Sequence, residues 1–369
     1  MIVPMLDPQA QHASLNEELV EAFRRVLVSG KYILGPEVES LERAVANRLG
    51  VDFAIGVSNG SDALVCALAA LGVGAGDEVI TAGFGFVASA ECIVRLGAIP
   101  RFVDIDPRTF NLSPRCVEAA LGPRTKALLV AHLFGQPADM EGLSEIARKH
   151  SLPVVEDFAQ SFGARFSEQN SGAWGDIGCT SFFPAKVLGA LGDAGMIITS
   201  NPELAGRCRA LRVHGSTQKH YHPWVGGNYR LDAVQAALLS VKLPHLGSLI
   251  ARRREHAAFY DSAFQDSPGI ETPFVDPRAY SVFAQYTVRI PRGRDDLQRH
   301  LAALGVASAV HYPLALQHQP CFDRVLNEVP TLPQCEKATR EVLSLPLFPE
   351  LTHEQREHVV ASVRSWNLP

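Results

Sequence analysis

Residues 181–195 read SFFPAKVLGALGDAG, and the fold is worked outward from Lys186 at their centre. A short apolar run, Thr180 to Phe183, precedes the lysine, and Gly189, Gly192 and Gly195 follow it. Pro184 removes a backbone donor, so a strand is expected to end there. The glycines permit tight turns and leave room for a bulky group. A lysine at a strand end, walled by aromatics and with no adjacent acid, is a candidate for a lowered pKa and a nucleophilic amine. Such an amine can form a Schiff base with an aldehyde cofactor. Taken alone, Lys186 also has the pattern of a surface lysine on a flexible loop, so other residues must decide.

A chain of 369 residues exceeds one ordinary domain. The net charge of −5, with no basic tract, gives no reason to expect nucleic acid as a partner. At 47% hydrophobic and 20% charged, the chain can bury a large core. The cysteine count is odd, no pair has C-x-x-C spacing, and several of the seven lie in apolar surroundings, so reduced thiols in a cytoplasmic protein are expected. No signal peptide or membrane span is expected, since no run of about 18 apolar residues stands out.

The first half alternates strand, glycine turn and helix. A helix is expected over 14–29, with Ser14 and Glu17 at capping-box spacing, and another from Pro36 to Gly50. Strands are expected at 53–57, 79–81, 101–105, 127–131, 153–155, 180–183 and 196–199, with helices from Ala63, Val87, Ser113 and Met140 between them. This is the pattern of an α/β domain built on a largely parallel sheet, whose ligands bind at the carboxyl ends of the strands. Past Gly227 come helices over 231–243 and 246–264, then strand, helix, strand at 284–290, 297–304 and 308–312. The expected division is a large domain over 1–245 and a smaller α+β domain over 246–369.

Four further stretches have chemical potential. Ser58-Asn59-Gly60-Ser61-Asp62 sits between a strand and a helix, where backbone N–H groups suit a phosphate or simply a helix cap. Glu156-Asp157 ends an apolar strand, so one acid can point into a pocket and the other away. A buried Asp there can keep a pyridine nitrogen protonated, although a solvated loop acid or a helix cap has the same sequence. An aromatic in Gly83-Phe84-Gly85-Phe86 can stack on a planar ring or pack in the core. Asn228 and Arg230, before a long helix, can bind an anion or cap the helix. No His/Cys/Asp cluster has ligand spacing, so no metal is expected.

Together these stretches resemble the DegT/StrS family of sugar aminotransferases, within the aspartate aminotransferase fold type I of pyridoxal phosphate enzymes. The matching segments, in the family's order, are SNGSDAL (from Ser58), GDEVI (Gly76), HLFGQPADM (His132), VVEDFAQSFGA (Val154), SFFPAKVLGALGDAG (Ser181), GGNYRLDAVQAALL (Gly226), HYPLALQHQ (His311) and LSLPLFP (Leu343). The resemblance implies that Lys186 is the Schiff-base lysine and Asp157 the partner of the pyridine nitrogen. It places Gln160 near the cofactor's phenolic oxygen and Phe86 over its ring. Gly60, Ser61 and Ser181 match phosphate contacts. Asn228 matches an asparagine that reaches the phosphate from the other subunit of a homodimer. Lys219, His220, Tyr221, Arg230, His311 and Tyr312 are the expected substrate side.

The sequence departs from the family at Val187, where Asn is common, and at Gly83 and Gly85, where Pro and Thr are common. The implied reaction turns a nucleotide-linked keto-hexose into an amino sugar, with L-glutamate as donor and pyridoxamine 5'-phosphate as the alternate cofactor form. Two other outcomes stay open. One is a sugar dehydratase of the same fold, against which Lys186 argues, since that branch carries His there. The other is a non-catalytic regulatory paralogue that binds the cofactor or a sugar nucleotide.

Overall fold

Short apolar runs become the seven strands of one sheet in the computed structural model, which describes residues 1–366. They are β1 (Phe53–Val57), β2 (Glu78–Ala82), β3 (Ile99–Val103), β4 (Thr125–Ala131), β5 (Val154–Asp157), β6 (Ile177–Ser181) and β7 (Gly195–Thr199). Their order across the sheet is β1-β7-β6-β5-β4-β2-β3. β7 runs antiparallel to both of its neighbours, and all other pairings are parallel. Helices cover both faces, which explains why these strands are apolar over most of their length and do not alternate. One face packs on Leu64, Cys66, Ile93 and Leu204; the other carries two clusters, around Leu41, Phe162 and Leu239 and around Phe102, Leu128 and Leu143.

A second sheet pairs β8 (Tyr286–Arg289) antiparallel with β9 (Val342–Leu345). Around it lies a separate core with Tyr260, Phe264, Leu297, Leu301 and Val363. Val3 joins that core and bridges to Val306, whereas the helix Asn16–Ser29 packs on the helix Ala233–Lys242. The N-terminal segment therefore touches both parts of the molecule.

Several local expectations are corrected. Residues 14–29 form no single capped helix. Ser14 closes a short helix, Pro8–Ala13, and the next helix starts at Asn16 with no side-chain cap. The helix expected from Ala63 starts at Gly60, because the Asn59 side chain accepts the Asp62 N–H at 2.8 Å. β6 stops at Ser181, opposite Gly195, so Phe182 and Phe183 lie beyond the strand and Pro184 does not end it. The strand expected at 308–312 is reduced to one bridge, Ala309 to Ser344. Helices Pro202–Leu211, Pro333–Glu341 and His353–Arg364, and strand β9, are additional. The run Ala233–Phe264 has the length and composition of a membrane-crossing helix. Half of its apolar window is buried inside the protein, and Arg252, Arg253 and Arg254 interrupt its second part.

Candidate active site

The carboxyl ends of β4, β5 and β6 open onto one cavity of about 630 Å³. It brings together Gly60, Ser61, Phe86, Asp157, Gln160, Ser181, Lys186, His311 and Tyr312, nine of the residues expected from sequence. Strand alternation sorts the two acids at the end of β5. Glu156 is fully buried away from the cavity and accepts N–H groups from Gly172, Trp174 and Gly175 at 2.9, 2.7 and 2.6 Å. Asp157 points into the cavity, held by the Ala159 N–H at 3.1 Å.

Burial raises the Asp157 pKa, against the Ala159 N–H and the Lys186 charge, which lower it. Burial also lowers the Lys186 pKa, and Asp157 opposes that only in part. Both groups are pushed toward their neutral forms, as expected where low dielectric outweighs a single opposite charge. No cation lies within 4.0 Å of Asp157 among the described residues. The carboxylate thus has room for a protonated ring nitrogen.

The residues also fit a phosphate. At the start of the Gly60–Ala70 helix, Asn59 caps Asp62 and Ala63, while no acceptor among the described residues takes the N–H of Gly60 or Ser61. These donors, the positive end of the helix and the hydroxyls of Ser61 and Ser181 form an anion cradle. Only glycine fits at position 60, since a Cβ there would stand 2.7 Å from that of Ser181.

Gln160 has a fixed orientation. Its Oε1 accepts the Phe134 N–H at 2.8 Å, and its Nε2 donates to the Tyr312 hydroxyl at 2.9 Å. Burial pushes the Tyr312 pKa up to about 12, so it is a neutral hydroxyl at physiological pH. His311 is paired through Nδ1 with Ser344 Oγ at 2.9 Å, and burial followed by the Lys186 charge lowers its pKa. Phe86, half exposed, forms part of the wall beside Tyr312. The departure at Gly83 has a steric cause: a Cβ there would collide with the Leu332 side chain and stand 2.7 Å from Gln317.

Asn228 and Arg230 do not reach this cavity. They line an adjoining hollow with Ser58, Asn59, Asp193 and Gln235. Lys219, His220 and Tyr221 are exposed on the loop before it and line neither space. Sequence reasoning assigned no role to His132, Ser89, Arg95 and Gln285, which all line the cavity. His132 lies in the quoted segment HLFGQPADM, and its Nε2 meets Glu156 at 2.8 Å. Arg95 approaches Asp62 at 3.5 Å, a contact between two helices that no local spacing announces.

The sequence profile of the DegT/DnrJ/EryC1/StrS aminotransferase family matches residues 13–364. A protein named pleiotropic regulatory protein, from Geobacillus stearothermophilus, is 48% identical over 98% of each chain. The UDP-2-acetamido-2-deoxy-3-oxo-D-glucuronate aminotransferase of Pseudomonas aeruginosa is 46% identical over 95% of this chain and 96% of its own. The S. venezuelae protein DesV, solved in complex with a ketimine intermediate, superposes with a TM-score of 0.96 at 43% identity, covering 99% of this chain and 98% of that one. The family profile spans most of the chain and relatives at 43% to 48% identity match it nearly from end to end, so the chain belongs to the DegT/DnrJ/EryC1/StrS aminotransferase family.

Proposed function

We propose that the protein is a pyridoxal phosphate-dependent aminotransferase that converts a nucleotide-linked keto-hexose to an amino sugar, with L-glutamate as amino donor. The observation that carries this is Lys186 and Asp157 facing one cavity beside the Gly60–Ser61–Ser181 cradle. Nucleotide keto-sugar transamination is the activity named for the Pseudomonas aeruginosa relative.

Pyridoxal phosphate, when bound, supplies the electron sink that makes the donor's α C–H acidic. The remaining work falls to the chain. Ser61, Ser181 and the free N–H groups of Gly60 and Ser61 hold the phosphate. Asp157 keeps the ring nitrogen protonated. Phe86 would pack against the ring, and Gln160, locked between Phe134 and Tyr312, would be available to the cofactor's phenolic oxygen. Lys186 holds the cofactor at rest. Its Nζ would then take the proton from the donor's α-carbon and deliver it to the cofactor's C4′ carbon, and the burial that lowers its pKa suits the amine to both tasks.

We further propose a homodimer with shared sites. The helix Asn16–Ser29 leaves Val20, Phe23 and Leu27 exposed on one face, and Asn228 lies outside its own chain's cavity. In this reading the loop Lys219–Tyr221, Asn228 and Arg230 serve the cavity of the other subunit.

The test is spectroscopic. The cofactor-loaded protein is mixed with L-glutamate, and then with a panel of UDP- and dTDP-linked keto-sugars. Bleaching of the cofactor's visible band by glutamate, and its return with a keto-sugar, is the expected result. A regulatory paralogue, a reading favoured by the name of the Geobacillus relative, would bind cofactor without bleaching.

A further inference from the structure

The helix Ala233–Lys242 ends in a lysine that is 1% exposed. A buried ammonium carries a large desolvation cost unless it is well partnered. Among the described residues no carboxylate lies within 4.0 Å of Lys242. Its partners are the Gly189 carbonyl, to which Nζ donates, and His12 Nε2 at 3.2 Å. An ammonium can only donate, so His12 Nε2 accepts, and the imidazole is neutral with its hydrogen on Nδ1. Burial and the Lys242 charge both lower the His12 pKa, in agreement with that form.

Gly189 follows Lys186 by three residues in the chain. The loop Phe182–Ala190 is closed at its base by the Ala190 N–H, which donates to the Phe182 carbonyl at 2.7 Å. Inside it the Lys186 N–H donates to the Phe183 carbonyl at 2.8 Å. Just past the base, the Leu191 N–H donates to Gln235 Oε1 at 3.0 Å. Gln235 and Lys242 are two helical turns apart, so they lie on one face. That face therefore grips the Lys186 loop at two points, once by an amide and once by an ammonium. No backbone N–H among the described residues donates to the Gly189 carbonyl. A methionine in place of Lys242 would fill the same volume and leave both this carbonyl and His12 Nε2 without a donor.

We propose that Lys242 is a positioning residue for amino transfer: through Gly189, and with Gln235, it fixes where Lys186 Nζ stands against Asp157. His12 fixes Lys242 in turn, which makes the helix Pro8–Ala13 part of the active-site scaffold. This rests on Lys186 being the amine that holds the cofactor.

The test compares the wild type with Lys242→Met, His12→Gln and His12→Phe. Glutamine keeps an acceptor for Lys242, and phenylalanine removes it. First, cofactor-loaded wild type is reduced with borohydride and the labelled peptide is mapped. A label away from Lys186 would overturn the functional reading itself, and with it this proposal. With the label on Lys186, Lys242→Met should slow the glutamate half-reaction by about tenfold to a hundredfold, the scale of a small misplacement of reacting groups. KM for the keto-sugar should stay within about twofold, since the sugar side is untouched. The pH midpoint of the bound cofactor's absorbance should shift in the same variant. In the cofactor-free protein, amide exchange over 182–191 should speed up while the central strands keep their protection. His12→Phe should move each readout in the same direction and His12→Gln should restore it. If Lys242→Met fails to fold, the His12 pair decides by the same readouts. An unchanged half-reaction, absorbance midpoint and loop exchange in a folded Lys242→Met, or in His12→Phe, would overturn the proposal.

Discussion

A lysine amine can carry a proton back and forth only if it spends time unprotonated, and burial gives Lys186 that property while Asp157 limits it. Lys186→Ala should therefore lower turnover by about a thousandfold or more while thermal unfolding stays cooperative, because its side chain makes no hydrogen bond among the described residues. Stopped-flow bleaching with L-glutamate is the measurement, and a variant that still bleaches at the wild-type rate removes Lys186 from the chemistry. Asp157→Asn keeps the shape and loses the charge. Its turnover should fall by about a hundredfold, the cost of losing one preorganised electrostatic contact, with cofactor still bound. At this scale the sequence was legible for which residues meet at one cavity, as for Lys186, Asp157 and Ser61, whose segments together resemble one family although each alone left its role open. It was not legible for Ser89, Arg95 and Gln285, because each reaches the cavity from an element whose sequence position says nothing about what it faces.

Elements explain why one acid of Glu156-Asp157 is structural and the other faces the cavity: β5 sends alternate side chains to opposite faces, and Glu156 spends its lone pairs on three loop N–H groups and His132. The alternation itself could be read from the sequence, whereas the loop from Gly172 to Gly175 that receives Glu156 could not, since it closes by contacts remote in sequence. Helices with an apolar stripe, such as Pro36–Leu49, stand where periodicity put them. The short helix Pro8–Ala13 was missed because only one of its residues, Gln11, is buried, so no stripe announces it. Lys242 supplies a prediction at this scale. Burial lowers its pKa from 10.5 to about 8 in the fold. Between those values the unfolded chain holds a proton that the folded chain lacks, so this group makes stability rise as pH increases through that window. Other lysines and tyrosines titrate there too, and comparison with Lys242→Met isolates the effect. The unfolding free energy of the wild type relative to the variant should climb from about pH 8 to pH 10 and stay level near pH 7. A difference that is flat across the whole range would mean that Lys242 keeps its ordinary pKa in the fold.

The whole molecule raises the question of where Lys219, Asn228 and Arg230 act, since one chain does not bring them to its own cavity. The exposed stripe Val20, Phe23 and Leu27, with Tyr32 and Ile33 beyond it, is the kind of apolar surface that a second copy would cover. If the loop before Asn228 closes the neighbour's cavity, a diphosphate arriving there meets Lys219 as a cation. Lys219→Ala should then raise KM for the keto-sugar by about tenfold, as the loss of one charge-assisted contact of roughly 1.4 kcal/mol would, and leave glutamate bleaching within about twofold. Equal losses in both half-reactions would assign the loop to the cofactor instead. The sharing itself is tested by mixing two inactive proteins, Lys186→Ala and Asn228→Ala. In a mixed dimer one site pairs the altered Lys186 of its own chain with the altered Asn228 of its neighbour. The other site pairs the intact residue of each. Random exchange puts about half of the subunits into mixed dimers, and each mixed dimer has one intact site of two, so about a quarter of wild-type activity should return. Sites built wholly within one chain would return nothing beyond the sum of the two variants once exchange has been verified by mass-tagged subunits.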